Sequence, residues 1–140
     1  MDEAVLRDSL GDELIREWDV VETGGGFMVI SDWKWPNSER IEIYVRTVGE
    51  REDLFLVSDG GDLFNFLFSQ GIDLTSDAHA MKVFRSVARN YEADFADYQI
   101  VKGANEGDLP RAVRMVVEAV KDASLILWYK FKDEEDGQPS

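Results

Sequence analysis

Leu54 to Gly71 reads LFLVSDGGDLFNFLFSQG. Four apolar residues of strand type (Leu54, Phe55, Leu56, Val57) run into Ser58-Asp59-Gly60-Gly61-Asp62. Beyond the glycines a short segment carries three phenylalanines. This is a strand, a glycine turn with acids on both sides, and the start of a helix closed by Gly71. The carboxylates have a structural use in such a turn: Asp59 accepts bonds within it, and Asp62 caps the helix and meets its positive end. They also have a chemical use as an alternative, a magnesium-type site built on Asp59 and Asp62 with Glu42 as a cross-strand third. The structural use is favoured. Leu63, Phe64, Phe66, Leu67 and Phe68 cover nearly every side of the segment, which implies burial or an interface to a second copy.

Upstream, Ile41, Ile43 and Val45 alternate with Glu42, Tyr44 and Arg46, the pattern of a half-buried strand. Gly49 to Asp53 turns it into Leu54–Val57. Val20–Thr23 and Phe27–Ile30 flank Gly24-Gly25-Gly26, a hairpin in which glycine supplies positive φ. A phosphate-cradling loop would instead lead into a helix with a lysine behind it. Trp33 and Trp35 then place two indoles on one side of an extended segment, with burial expected. Before these strands, Leu6, Leu10, Leu14 and Trp18 recur every four residues and predict an amphipathic helix over 3–18.

Downstream, Ser76 or Asp77 caps a helix over about 78–91 with Met81, Phe84, Val87, Ala88 and Tyr91 on its apolar face. Lys82, Arg85 and Arg89 lie together on its other side. Residues 93–102 form a small second hairpin and 103–108 a loop. Pro110 opens a long helix over about 109–130. Its expected buried stripe is Ala112, Val113, Val116, Val117, Val120, Leu125 and Trp128. The fold class is therefore α+β: a meander of about four antiparallel strands plus a small second hairpin. Four helices (N-terminal, short central, basic central and long C-terminal) pack with it. Residues 1–132 form one domain, and 133–140 a disordered acidic tail.

The chain has 140 residues, 15 basic and 29 acidic, a net charge of −14. Such a field repels phosphate backbones and anionic lipid, so direct nucleic-acid and membrane binding are not expected. It favours a basic partner. There is no cysteine and one histidine, His79. Thiol chemistry is thereby excluded, and structural zinc and a serine triad lack their residue types. No apolar run approaches a membrane helix, and Met1-Asp2-Glu3 has the wrong charge for a signal peptide, so a cytoplasmic protein is expected. No cofactor is expected.

The order of elements resembles a known family. The residues carrying the likeness are Leu56-Val57-Ser58-Asp59-Gly60-Gly61, the helix Asp62 to Gln70, Gly71-Ile72-Asp73-Leu74, the basic helix, the tyrosine-bearing hairpin, and Gly107-Asp108-Leu109-Pro110-Arg111-Ala112. Over about residues 12–130 the chain is similar to the prophage-associated bacterial family catalogued as domain of unknown function eighteen-twenty-eight. That family usually has Asp-Asp-Gly at the turn, where Ser58 here replaces the first acid. The resemblance implies a phage or mobile-element setting and carries no activity.

Together these readings give an expected non-enzymatic acidic interaction protein. It would be an inhibitor or adaptor that binds a basic, nucleic-acid-binding host defence protein, by nucleic-acid mimicry. The partner-binding residues would be Asp8, Asp12, Glu13 and Glu17 on the first helix, with Glu50, Glu52 and Asp53 at a hairpin tip. The alternatives are a metal-dependent hydrolase or nuclease using Asp59 and Asp62, and a regulatory module using the Lys82, Arg85 and Arg89 ridge.

Overall fold

A computed structural model describes residues 3–6, 18–35 and 38–136, without the side chains of 52 and 128–136. Asp8, Asp12, Glu13 and Glu17 therefore lie outside the described residues. The first helix, α1, is described over residues 3–6, where Leu6 is buried. The strands are β1 (Asp19–Thr23), β2 (Gly26–Lys34), β3 (Arg40–Val48), β4 (Arg51–Ser58), β5 (Asp94–Ala96) and β6 (Gln99–Asn105). The remaining helices are α2 (Asp62–Ser69), α3 (Ala78–Asn90) and α4 (Leu109–Asp136).

All six strands belong to one antiparallel sheet of order β1-β2-β3-β4-β6-β5. The meander extends further than its sequence pattern indicates. The β5–β6 hairpin is not a separate unit, because β6 pairs along β4 from Leu54↔Asn105 to Ser58↔Val101. Gly103, Ala104 and Asn105 read as loop formers, yet they lie in strand β6 opposite β4. The neighbouring strand supplies the ladder bonds that local propensity does not favour.

The alternation of side chains divides the sheet into two faces. Phe27, Val29, Ile41, Ile43, Val45, Phe55, Val57, Ile100 and Ala104 are buried on the inner face. The long helix α4 contacts β2, β3, β4 and β6, and α3 packs on α4. Leu109, Ala112, Val113, Val116, Val117, Val120, Ala123 and Leu127 form the buried stripe of α4. Leu125 is only half-buried, because a 3.6-residue period places Ala123 and Leu127 in phase with Val116 and Val120. The backbone of α4 stays helical through Asp133-Glu134-Glu135-Asp136, which the sequence reading assigns to a tail. No glycine or proline interrupts the chain between Pro110 and Gly137, so nothing local stops the helix earlier.

Helix α3 starts where Asp77 accepts the Ala80 N–H at 2.9 Å, the N-cap expected at this position. Its far end is tied to α4 by the Tyr91 hydroxyl, which donates to Asp122. Trp35 is buried and stacks on Phe66 of α2, their ring centroids 5.1 Å apart. Trp33 is half-buried beneath the Lys121 ammonium, 3.5 Å from its ring centroid.

The opposite face of the sheet carries Val21, Met28, Ile30, Glu42, Tyr44, Arg46, Leu54 and Leu56, none of them fully buried. In register across it lie Val21↔Met28, Met28↔Tyr44 and Arg46↔Leu56. Among the described residues, no helix is long and apolar enough to cross a membrane.

Candidate functional site

Asp59 and Asp62 flank the two glycines between β4 and α2, and the structure sends them in different directions. Asp59 is 1% exposed. Its Oδ1 accepts the N–H groups of Gly61 at 3.1 Å and Ile100 at 2.9 Å, and its Oδ2 accepts that of Leu63 at 3.1 Å. Its own N–H donates to the Ile100 carbonyl at 3.2 Å. Main chain and side chain together therefore continue the β4–β6 ladder one residue past Ser58↔Val101. Burial pushes the Asp59 carboxyl up to about 6, against the downward pull of the three N–H donors and with a further push from Asp62.

The capping role expected of Asp62 thus belongs to Asp59. The N-cap position is Gly61, at φ 86°, with no side-chain cap bond. Asp62 is the first residue of the helix and turns onto the sheet face opposite the core, beside Tyr44. There the Tyr44 hydroxyl lies 3.4 Å from Asp62 Oδ2 and 3.2 Å from Glu42 Oε2. A phenol has one proton and donates to one acceptor at a time, so two carboxylates share a single donor. Burial, and next the charge of Glu42, raise the Asp62 carboxyl above its usual range. Burial, then Asp62 and Glu42, push the Tyr44 phenol up. Among the described residues, neither Glu42 nor Asp62 has an ion-pair partner.

Gly60 makes this arrangement sterically possible. It has φ 68°, and a Cβ there would lie 2.6 Å from the Tyr44 ring. Ser58 donates to Gln99 Oε1 at 2.5 Å and accepts the Gly60 N–H at 2.9 Å. Polar contacts within the turn are joined by two to β6, from Ser58 to Gln99 and from Ile100 to Asp59.

A cleft of about 740 Å³ opens beside Tyr44, between this sheet face and α2. Glu42, Asp62 and Tyr44 form one wall; Ile30, Trp35 and Phe66 supply apolar surface. Arg40 also lines it, but its nitrogens are directed to the sheet. Nε donates to the Ser31 carbonyl at 2.6 Å, one terminal nitrogen to the Ile30 carbonyl at 3.2 Å, and the other to Asp19 at 3.1 Å. These carbonyls lie at a register shift between Ile30 and Lys34, where the ladder is interrupted and acceptors need other donors.

The two carboxylates of the metal alternative point apart: the Asp59 oxygens accept backbone N–H groups, and Asp62 faces Tyr44. Glu42 and Asp62 are the carboxylates brought together. Among the described residues, no group of three His, Cys, Asp or Glu side chains is placed to hold a metal ion. Glu50 is exposed in the β3–β4 turn; Asp53 is exposed and paired with Arg51 at 2.9 Å. The carboxyl of Asp53 is held below its usual range by hydrogen bonding from Arg51. Lys82, Arg85 and Arg89 are all exposed on α3, with the Arg85 guanidinium 5.7 Å from the Phe95 ring centroid. Leu63, Phe66 and Leu67 of α2 are buried, whereas Phe68 is 60% exposed and Phe64 rests against Tyr98 at 4.7 Å.

No family model matches the chain, and neither a curated protein nor a solved structure matches it.

Sequence reasoning placed Glu42 and Tyr44 on one strand face but gave Tyr44 no part in a site. The missing information was the path of the chain after Gly61, which carries Asp62 back over β3. The shared phenol has a measurable consequence. In Tyr44→Phe the Asp62 carboxyl is expected to titrate at higher pH than in the wild type, because the bond that lowers its pKa is gone. Carboxyl-carbon NMR titration checks this; an unchanged or lower midpoint would show that the phenol donates elsewhere.

Proposed function

We propose that this chain is a non-enzymatic acidic interaction protein of phage or mobile-element origin. It acts as an inhibitor or adaptor that binds a basic, nucleic-acid-binding host defence protein. The phage setting rests on the family resemblance. The partner class rests on charge: 29 acidic against 15 basic residues. The observation that carries the reading is the half-buried sheet face where Glu42 and Asp62 share one phenol and have no ion-pair partner among the described residues. Uncompensated carboxylates beside an apolar surface suit a lysine- or arginine-rich groove that otherwise holds phosphates.

Nucleic-acid mimicry works by filling that groove, so binding is expected to weaken steeply as salt screens the charges. The test is a pull-down from bacterial host lysate at low salt and again at about 0.3 M, where the Debye length falls below about 8 Å. The expected result is a basic, nucleic-acid-binding protein retained at low salt, released at high salt and displaced by competing DNA. Captured proteins that are not basic, or a complex indifferent to salt, would remove this reading.

A further inference from the structure

We propose that the cleft beside Tyr44 is the docking point for an arginine side chain of the basic partner, with the guanidinium between Glu42 and Asp62. This rests on the reading above and deepens it. Both carboxylates lie within 3.4 Å of the same phenol oxygen, on a shared donor that satisfies only one of them. The remaining acceptor capacity faces a cleft of about 740 Å³, within the range that encloses small ligands. The guanidinium already lining this cleft, Arg40, has bonds to Ser31, Ile30 and Asp19.

The geometry favours arginine over lysine. A planar fork with five N–H donors bridges two carboxylates around a phenol and lies against aromatic surface, here the stacked Trp35 and Phe66. An ammonium is compact and strongly hydrated, and contacts fewer acceptors at once. The apolar stem of the arginine covers Ile30 and the aromatic edges, as amphipathic side chains do elsewhere. On the same sheet face Met28, opposite Tyr44, and Leu56, opposite Arg46, are half-buried and available to flanking apolar residues of the same segment.

Calorimetry at low salt tests this with a short synthetic peptide carrying arginine, its citrulline counterpart and its lysine counterpart. The arginine peptide is expected to bind, and to shift the Trp35 indole and Asn65 amide resonances. The neutral citrulline peptide is expected to lose at least about tenfold in affinity. The double variant Glu42→Gln/Asp62→Asn should lose a similar factor, whereas Asp94→Asn/Asp97→Asn, two exposed acids on the β5–β6 hairpin, should change it by less than about threefold. If both double variants weaken binding equally, the overall field acts and the cleft proposal fails while the charge reading survives. Equal affinity for the lysine peptide overturns the guanidinium assignment. No binding of the arginine peptide to the wild type overturns the cleft, and the lysate experiment then decides the broader reading on its own. The citrulline comparison uses unaltered protein, so a variant that folds poorly does not obscure the result.

Discussion

Replacing Asp59 with alanine is expected to destabilise the fold by about 3–5 kcal/mol, measured by urea unfolding at neutral pH. The side chain is buried and accepts three backbone N–H groups, from Gly61, Leu63 and Ile100. Alanine leaves all three donors without an acceptor, in a place water does not readily reach. Each deserted buried donor costs about 1–3 kcal/mol. The loss is large beside the roughly 5–15 kcal/mol that holds a domain together. It falls on three elements at once, since the donors belong to the turn, to the first turn of α2 and to β6. A loss below about 1 kcal/mol would mean the turn finds other acceptors, and that Asp59 is not what joins sheet and helix.

The same substitution carries a pH signature whose sign follows from linkage. Burial raises the Asp59 carboxyl from 3.8 to about 6, so the folded protein holds that proton more tightly than the unfolded chain. Stability from this group is fully present below about pH 3.8 and is lost as pH rises through about 6. The destabilisation of Asp59→Ala should therefore be larger at pH 4 than at pH 7, by on the order of 2 kcal/mol. Asp62, whose carboxyl is also raised, is common to both proteins and largely cancels in the difference. A gap between the two unfolding curves that is constant with pH would show Asp59 to titrate normally.

The strand–turn–helix of Leu54–Gly71 was legible because each part follows a local rule: an apolar run, glycines at positive φ (Gly60 68°, Gly61 86°), and an acid at the helix start. Which acid does the capping was not legible. Asp59 and Asp62 both suit the turn, and the choice is made by Ile100, 41 residues away, whose N–H claims Asp59. The joining of β6 to β4 was missed for a related reason. Gly103 and Asn105 look like loop formers until a partner strand is beside them, and pairing at that separation leaves no local trace. Tyr44 sits in an ordinary alternating strand, so nothing in its neighbourhood marks it as the point where Glu42 and Asp62 meet. Alternation predicted the inner face of β3, since the burial of Ile41, Ile43 and Val45 follows from the period. The site is made of contacts between segments, which periodicity does not encode.

Gly26→Ala is the second large effect, and it separates two reasons for a glycine triplet. Positive φ was the expected reason for Gly24-Gly25-Gly26, yet none of the three lies in the left-handed region. A Cβ on Gly24 or Gly25 meets nothing within 4 Å, whereas one on Gly26 falls 1.9 Å from the Val45 carbonyl oxygen and 2.9 Å from its carbon. Those atoms are backbone in the middle of β3 and cannot swing aside as a side chain would. Gly26 pairs with Thr23 on one side and Arg46 on the other, so relief requires opening the β2–β3 ladder at its start. Overpacking of this kind costs about 1–3 kcal/mol, and the rigid neighbour places Gly26→Ala at the upper end. Gly24→Ala and Gly25→Ala are expected to stay within about 0.5 kcal/mol of the wild type. Urea midpoints of the three variants decide the matter. Equal losses at all three positions would restore turn conformation as the cause, whereas a loss confined to Gly26 identifies close strand approach. Because Met28 and Tyr44 pair two residues along the same ladder, the Gly26 variant should also perturb the Tyr44 ring resonances, which Gly24→Ala leaves unchanged.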